Sequence, residues 1–277
     1  MLTSQVPGVA PIIPGFQIPL VAGLIAFALA LILHEMSHGV LARIYNVRLK
    51  SVGLLMVGII PMGGFVEPDD KQVGKLSNIN QTKMFAAGVA ANFVLMVIFF
   101  LLMLPLIYYV LPSISKVTIA ATVPNTPAYR IIGNGTQIYY WNGQKVNTLS
   151  SLSGVNERPG DRITLNTSNG TYTFTAISIA NSTRGYIGVI LNQGIQNNAG
   201  ANAWYFIYSV IALSLVINFL IGIANMLPIP AFDGWRIYNS NIKNRRLMGS
   251  IAAFVLIILI LNAVPWLFQF AFCHGAC

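Results

Sequence analysis

Four apolar stretches, each long enough to cross a bilayer, constrain this chain more than any other feature. They cover about 15–44, 84–111, 203–227 and 248–272, and a membrane helix needs about 20 residues. Lipid offers backbone groups no partner outside their own segment, so such stretches fold as helices. The expected class is therefore a polytopic α-helical membrane protein with about four transmembrane helices. Composition agrees: 8% of residues are charged, against about 25% in a soluble domain. No charged residue occurs between Met1 and Leu33. A secretory leader carries a basic region before its apolar core, so this start reads as a retained membrane helix.

The formal net charge of +9 is explained by where the basic residues fall. Arg43, Arg48, Lys50, Lys71, Lys75 and Lys83 lie between the first two spans, and Arg236, Lys243, Arg245 and Arg246 between the last two. Short loops rich in Lys and Arg stay on the cytoplasmic side. The N-terminus, the region between spans two and three and the C-terminal tail are then expected outside the cell membrane. The charge sets topology, so the bilayer is the expected partner and no nucleic acid is.

Three parts follow along the chain: 1–111, 112–202 and 203–277. In the first, the stretch 52–66 is too short to cross the membrane and too rich in Gly and Pro for a stable helix. It reads as a hairpin or re-entrant loop lining protein or a wet cavity. In the second, short alternating runs such as Ile163-Thr164-Leu165 and Tyr172-Thr173-Phe174-Thr175 stand between turn signals at Asn134-Gly135, Asn142-Gly143, Pro159-Gly160 and Asn169-Gly170. These predict a small strand-rich extramembrane domain. Asn-x-Ser/Thr sequons at Asn134, Asn166, Asn169 and Asn181 fit an external location. The two cysteines, Cys273 and Cys277, flank His274 in a spacing that fits no zinc pattern.

The first span carries His34-Glu35-Met36-Ser37-His38. On a helix this motif puts both imidazoles on one face, where they can share a zinc ion. Glu35 then stands where it can take a proton from water that the metal acidifies. Ionisable groups inside a span cost about 2.5–3.5 kcal/mol each and usually mark function. A catalytic zinc needs a third protein ligand, and few residues can supply it. His274 falls outside, Glu157 and Asp161 belong to the external region, and Glu67, Asp69 and Asp70 sit in a polar loop. Asp233 remains, between helix-breaking prolines and Gly234, at the same membrane end as His34.

These residues resemble the site-2 protease family of intramembrane zinc metalloproteases, in its branch with an inserted PDZ-like domain. Its second motif, Asn-x-x-Pro-x-Pro-x-x-Asp-Gly, is matched by Asn225, Pro228, Pro230, Asp233 and Gly234, and a Gly-x-x-x-Asn element by Gly88 and Asn92. The resemblance implies one Zn²⁺ held by His34, His38 and Asp233, with Glu35 as catalytic base. It implies that Gly63-Gly64-Phe65 belongs to a membrane-dipping hairpin that receives unwound substrate. Asn225 and Asn92 are implied to touch substrate; for Asn225 a helix-end cap is the plain alternative. The external domain resembles a PDZ-type insert through Val123-Pro124-Asn125-Thr126-Pro127-Ala128 and Gly185-Tyr186-Ile187-Gly188-Val189. Peptide binding and size exclusion both stay open for it. Implied substrates are single-span membrane proteins already trimmed outside. A catalytically silent scaffold is the rival reading, though a scaffold has no need of Glu35 between the two histidines. A metal-ion transporter would need polar residues through the full membrane depth.

Overall fold

The computed structural model describes residues 15, 18–57, 60–178 and 183–272; Asn181, Cys273, His274 and Cys277 lie outside them. Four described helices are long and apolar enough to cross a membrane: α1 (Leu20–Ile44), the helical segment Asn78–Ile114, α5 (Ala199–Asn225) and α7, which runs Arg245–Phe272. The second segment begins earlier than its apolar stretch, because the polar turn at residues 78–83 is helical too. It comprises α3 (Asn78–Pro105), a π turn over Leu106–Val110 and α4 (Leu111–Ile114). Pro105 supplies no N–H to its preceding turn, and the helix accommodates the loss by widening just beyond it.

Contacts divide the chain into two compact units. The first draws on residues up to Leu102 and from Ser209 onward. Lipid tails are as apolar as leucine, so its helices associate through close packing of small residues. Ala26 and Ala30 of α1, fully buried, meet Ile217 of α5, with Phe27, Leu213 and Ile221 around them. A Cβ placed on Gly222 of α5 would come within 3.3 Å of the Phe93 ring and 3.6 Å of the Asn92 Cβ on α3. Glycine and alanine thus bring the backbones of α1, α3 and α5 close together.

Between α1 and α3 the chain makes a hairpin of β1 (Leu49–Val57) and β2 (Ile60–Pro68), followed by the short α2 (Asp70–Val73). The strands pair antiparallel, with Val52 opposite Val66, Leu54 opposite Gly64 and Leu55 opposite Gly63. A Cβ on Gly39 of α1 would lie 3.5 Å from the Val66 side chain, so α1 and β2 touch directly. Beneath the hairpin, Ala42, Val47, Val73, Met84 and Phe85 form a small apolar cluster.

The second unit, 103–208, is an antiparallel six-stranded sheet. Its strands are β3 (Ser115–Thr122), β4 (Gln137–Trp141), β5 (Gln144–Lys145), β6 (Arg162–Thr167), β7 (Gly170–Thr175) and β8 (Val189–Ile195). The order is β7-β6-β4-β3-β8, with β5 on β4. The Asn-Gly signals fall at hairpin turns: Asn142 and Gly143, at φ 48° and 80°, join β4 to β5, and Gly170 at φ 120° opens β7. Alternate residues Val117, Ile119, Ile138, Ile163 and Leu165 build the core. Gly188 has φ +83°, and a Cβ there would collide with Thr126. Gly188→Ala should therefore destabilise this unit by roughly 1–3 kcal/mol. Limited proteolysis of the full chain in membranes should show faster cutting within 115–195, and an unchanged rate would refute the account.

Candidate metal centre

His34 and His38 lie one turn apart on α1, their ring nitrogens turned into the bundle. Nε2 of His34 and Nε2 of His38 are 3.2 Å apart. Oδ2 of Asp233 lies 3.0 Å from the first and 3.1 Å from the second. His34 is only 4% exposed. Among the described residues this is the one group of three or more such side chains placed to hold a metal ion.

The loop from Met226 to Phe232 brings the carboxylate there. Pro228 and Pro230 stop α5 from continuing, and two short-range bonds curl the chain: Ile229 N–H to the Leu227 carbonyl at 2.8 Å, and Phe232 N–H to that of Ile229 at 3.0 Å. Ala231 takes φ 98°, a conformation costly for a side-chain-bearing residue and typical of functional loops. At Gly234 a Cβ would strike the Met226 carbonyl and lie 2.6 Å from the Leu227 oxygen, so only glycine lets the loop close. Asp233 is thereby the first residue of α6 (Asp233–Asn241), where the helix dipole favours a negative charge. Burial pushes its pKa up, but when the two imidazoles are protonated their hydrogen bonds and charges outweigh that and hold it at about 2. It is thereby available as a carboxylate, as a ligand must be.

α3 forms the back wall. The Met84 carbonyl lies 2.9 Å from Nδ1 of His38 and can only accept, so that nitrogen carries a proton and Nε2 is the lone-pair site of the neutral ring. Oδ1 of Asn92 accepts from Nδ1 of His34 at 2.9 Å and assigns its Nε2 the same part. With both rings neutral, three lone-pair donors converge on one point, an arrangement that fits a cation. Nitrogens bound tetrahedrally to zinc stand about 3.3 Å apart, close to the 3.2 Å between the two Nε2 atoms. Gly88 makes room for the rings: a Cβ there would hit Nε2 of His38 and sit 2.6 Å from Nε2 of His34.

Glu35 lies on the hairpin side. Its Oε2 accepts the Val66 N–H at 3.0 Å, and a Cβ on Gly64 would lie 3.8 Å from its Cγ. Val66 pairs with Val52 while its N–H points to Glu35, so the unpaired edge of β2 faces that carboxylate. A cavity of about 190 Å³ opens here, lined by Glu35, His38, Phe65, Phe85, Asp233 and Arg236 among others. Phe65 packs over Gly53, where a Cβ would be 2.7 Å from its ring.

Not every expected substrate contact is brought to this cavity. Asn92 is 0% exposed and bonded to His34, so it orients a ligand and does not reach substrate. Its Nδ2 is buried without a hydrogen-bond partner among the described residues. Such an orphan costs about 1–3 kcal/mol, so Asn92 serves His34 at the expense of the fold. Asn225, the last residue of α5, donates from Nδ2 to the Ile221 carbonyl at 3.1 Å, the helix-end alternative. Gly63 pairs within the hairpin. The Met84 carbonyl, the Val66 N–H and Arg236 were not anticipated. Only Arg236 had a sequence signal, its position one turn after Asp233. Gly88→Ala should abolish tight zinc binding, and Asn92→Ala should weaken it about 10–100-fold. Chelator competition on purified protein checks both, and wild-type affinity in either variant contradicts the geometry.

The sequence pattern of peptidase family M50, the family of zinc metalloproteases that includes site-2 proteases, matches residues 22–265. The chain is also 28% identical over 232 residues to an uncharacterized protein of Methanocaldococcus jannaschii, a match covering 82% of this chain and 58% of that relative. The family pattern covers most of the chain, including the four apolar helices and the ligand triad: the chain belongs to peptidase family M50.

Proposed function

We propose that this chain is a zinc endopeptidase that hydrolyses peptide bonds within or near the transmembrane helices of membrane-protein substrates. The observation that carries the reading is the convergence of three ligand atoms, Nε2 of His34, Nε2 of His38 and Oδ2 of Asp233, beside Glu35. These three residues would hold the zinc, which when bound acidifies water and polarises a carbonyl.

The chain's own groups do the rest. Glu35 takes a proton from the attacking water and passes it to the leaving amine. The Asn92 and Met84 acceptors keep the imidazole protons on Nδ1. A substrate helix hides its carbonyls in its own hydrogen bonds and must unwind before attack. The edge of β2 at Gly64, next to the Val66 N–H that Glu35 already holds, offers replacement bonds by strand addition. Asn225 has a second amide hydrogen that can serve substrate backbone. The strand-rich unit is read as a PDZ-like insert that filters substrates already trimmed outside. The basic loops are read as cytoplasmic, which puts the centre toward the cytoplasmic side of the cell membrane.

Glu35→Gln removes the proton carrier and leaves the ligands intact. It should keep its zinc and lose cleavage of a model single-span substrate by at least about 10²–10⁴-fold. Full activity in that variant would sink the reading. Absence of zinc in the wild-type protein would favour a scaffold instead.

A further inference from the structure

We propose that Arg236 forms a carboxylate-binding subsite beside the metal centre, so that substrates with an Asp or Glu flanking the scissile bond are preferred. The inference rests on the protease reading above and names a substrate feature for it.

Arg236 follows Asp233 by three residues on α6, which puts both on one face. It lines the same cavity as Glu35, His38 and Asp233. Its guanidinium carbon lies 5.3 Å from the centroid of the Phe85 ring, so the flat face of the group is engaged by an aromatic. That contact leaves the N–H edges, the part that grips a carboxylate in a fork. The three ion pairs among the described residues involve His34, His38 and Lys50. None involves Arg236, although two carboxylates line the same cavity.

Charge balance gives the preference its sign. Metal ligation needs both imidazoles neutral. With a divalent ion bound, the Asp233 and Glu35 carboxylates would offset its charge, and the charge of Arg236, the one Lys or Arg among the lining residues, would stand unbalanced. An acidic side chain there completes the balance, and a Lys or Arg meets repulsion. The volume, about 190 Å³, equals that of about six waters at roughly 30 Å³ each. That is room for a side chain. Arg236 is itself exposed, so solvent screens the pairing and a preference of about tenfold is expected.

The test uses the full zinc-loaded chain in proteoliposomes and a single-span substrate whose cleaved bond is mapped by mass spectrometry. Asp, Asn or Lys is placed in turn at each of three positions on either side of that bond. At one position the Asp substrate should exceed the Lys substrate about tenfold in kcat/KM. Arg236→Gln should bring that ratio near one, Arg236→Lys should keep its direction, and Arg236→Glu should invert it. Ratios within a variant cancel any general loss of activity. Should Arg236→Glu be inactive, the affinity of Glu35→Gln and Glu35→Gln/Arg236→Glu for the Asp and Lys substrates gives the same comparison without turnover. Cleavage with no charge preference at any position, or a preference unchanged in Arg236→Glu, overturns the subsite and leaves the protease reading standing. No cleavage of any substrate by the wild type overturns both.

Discussion

A carboxylate and two imidazoles stand with their ligand atoms within about 3 Å of one another, and with both rings neutral their lone pairs repel unless a cation joins them. Everything around the centre is arranged to enforce that contact. α3 gives up a side chain at Gly88 so that both rings fit against it. It lends the Met84 carbonyl and the Asn92 amide so that both rings keep their protons on the far side. The loop before α6 accepts a positive φ at Ala231 and a glycine at 234 so that Asp233 arrives from the third side. Several of these features cost the fold locally, and together they bring three potential metal ligands to one point.

The hairpin is tied to this centre through backbone chemistry. Gly64 lets β2 lie against Glu35, and the Val66 N–H holds the carboxylate. The hairpin strand and the acidic residue of the His-Glu-x-x-His motif are therefore one hydrogen bond apart. Arg236 lines the same cavity, its guanidinium over the ring of Phe85.

Much of this was legible in the sequence for a physical reason: lipid makes ionisable residues scarce. With seven acidic residues in the chain, elimination could reach Asp233 once His34 and His38 were recognised. The hairpin turns were equally readable, because Asn142-Gly143 and Asn169-Gly170 supply backbone angles other residues avoid. Asn92 misled because its role depends on which neighbour α3 faces, a long-range fact that no local pattern carries. The Met84 carbonyl and the Val66 N–H have no side-chain signature at all. Arg236 was absorbed into the basic charge that orients the loops. The length of the second span was underestimated because apolarity marks where lipid is, and a helix extends beyond it.

The ligands are also separated in time. His38 and Asp233 stand 195 residues apart, with α3 and the whole strand-rich unit made between them. A nascent chain carries the two histidines from the outset, yet it has no back wall until α3 has packed and no third ligand until α6 has formed. The three ligands can therefore meet only after α6 has been made and has packed against α1 and α3, so the order of synthesis makes the centre a late product of folding, whatever part of it is formed first.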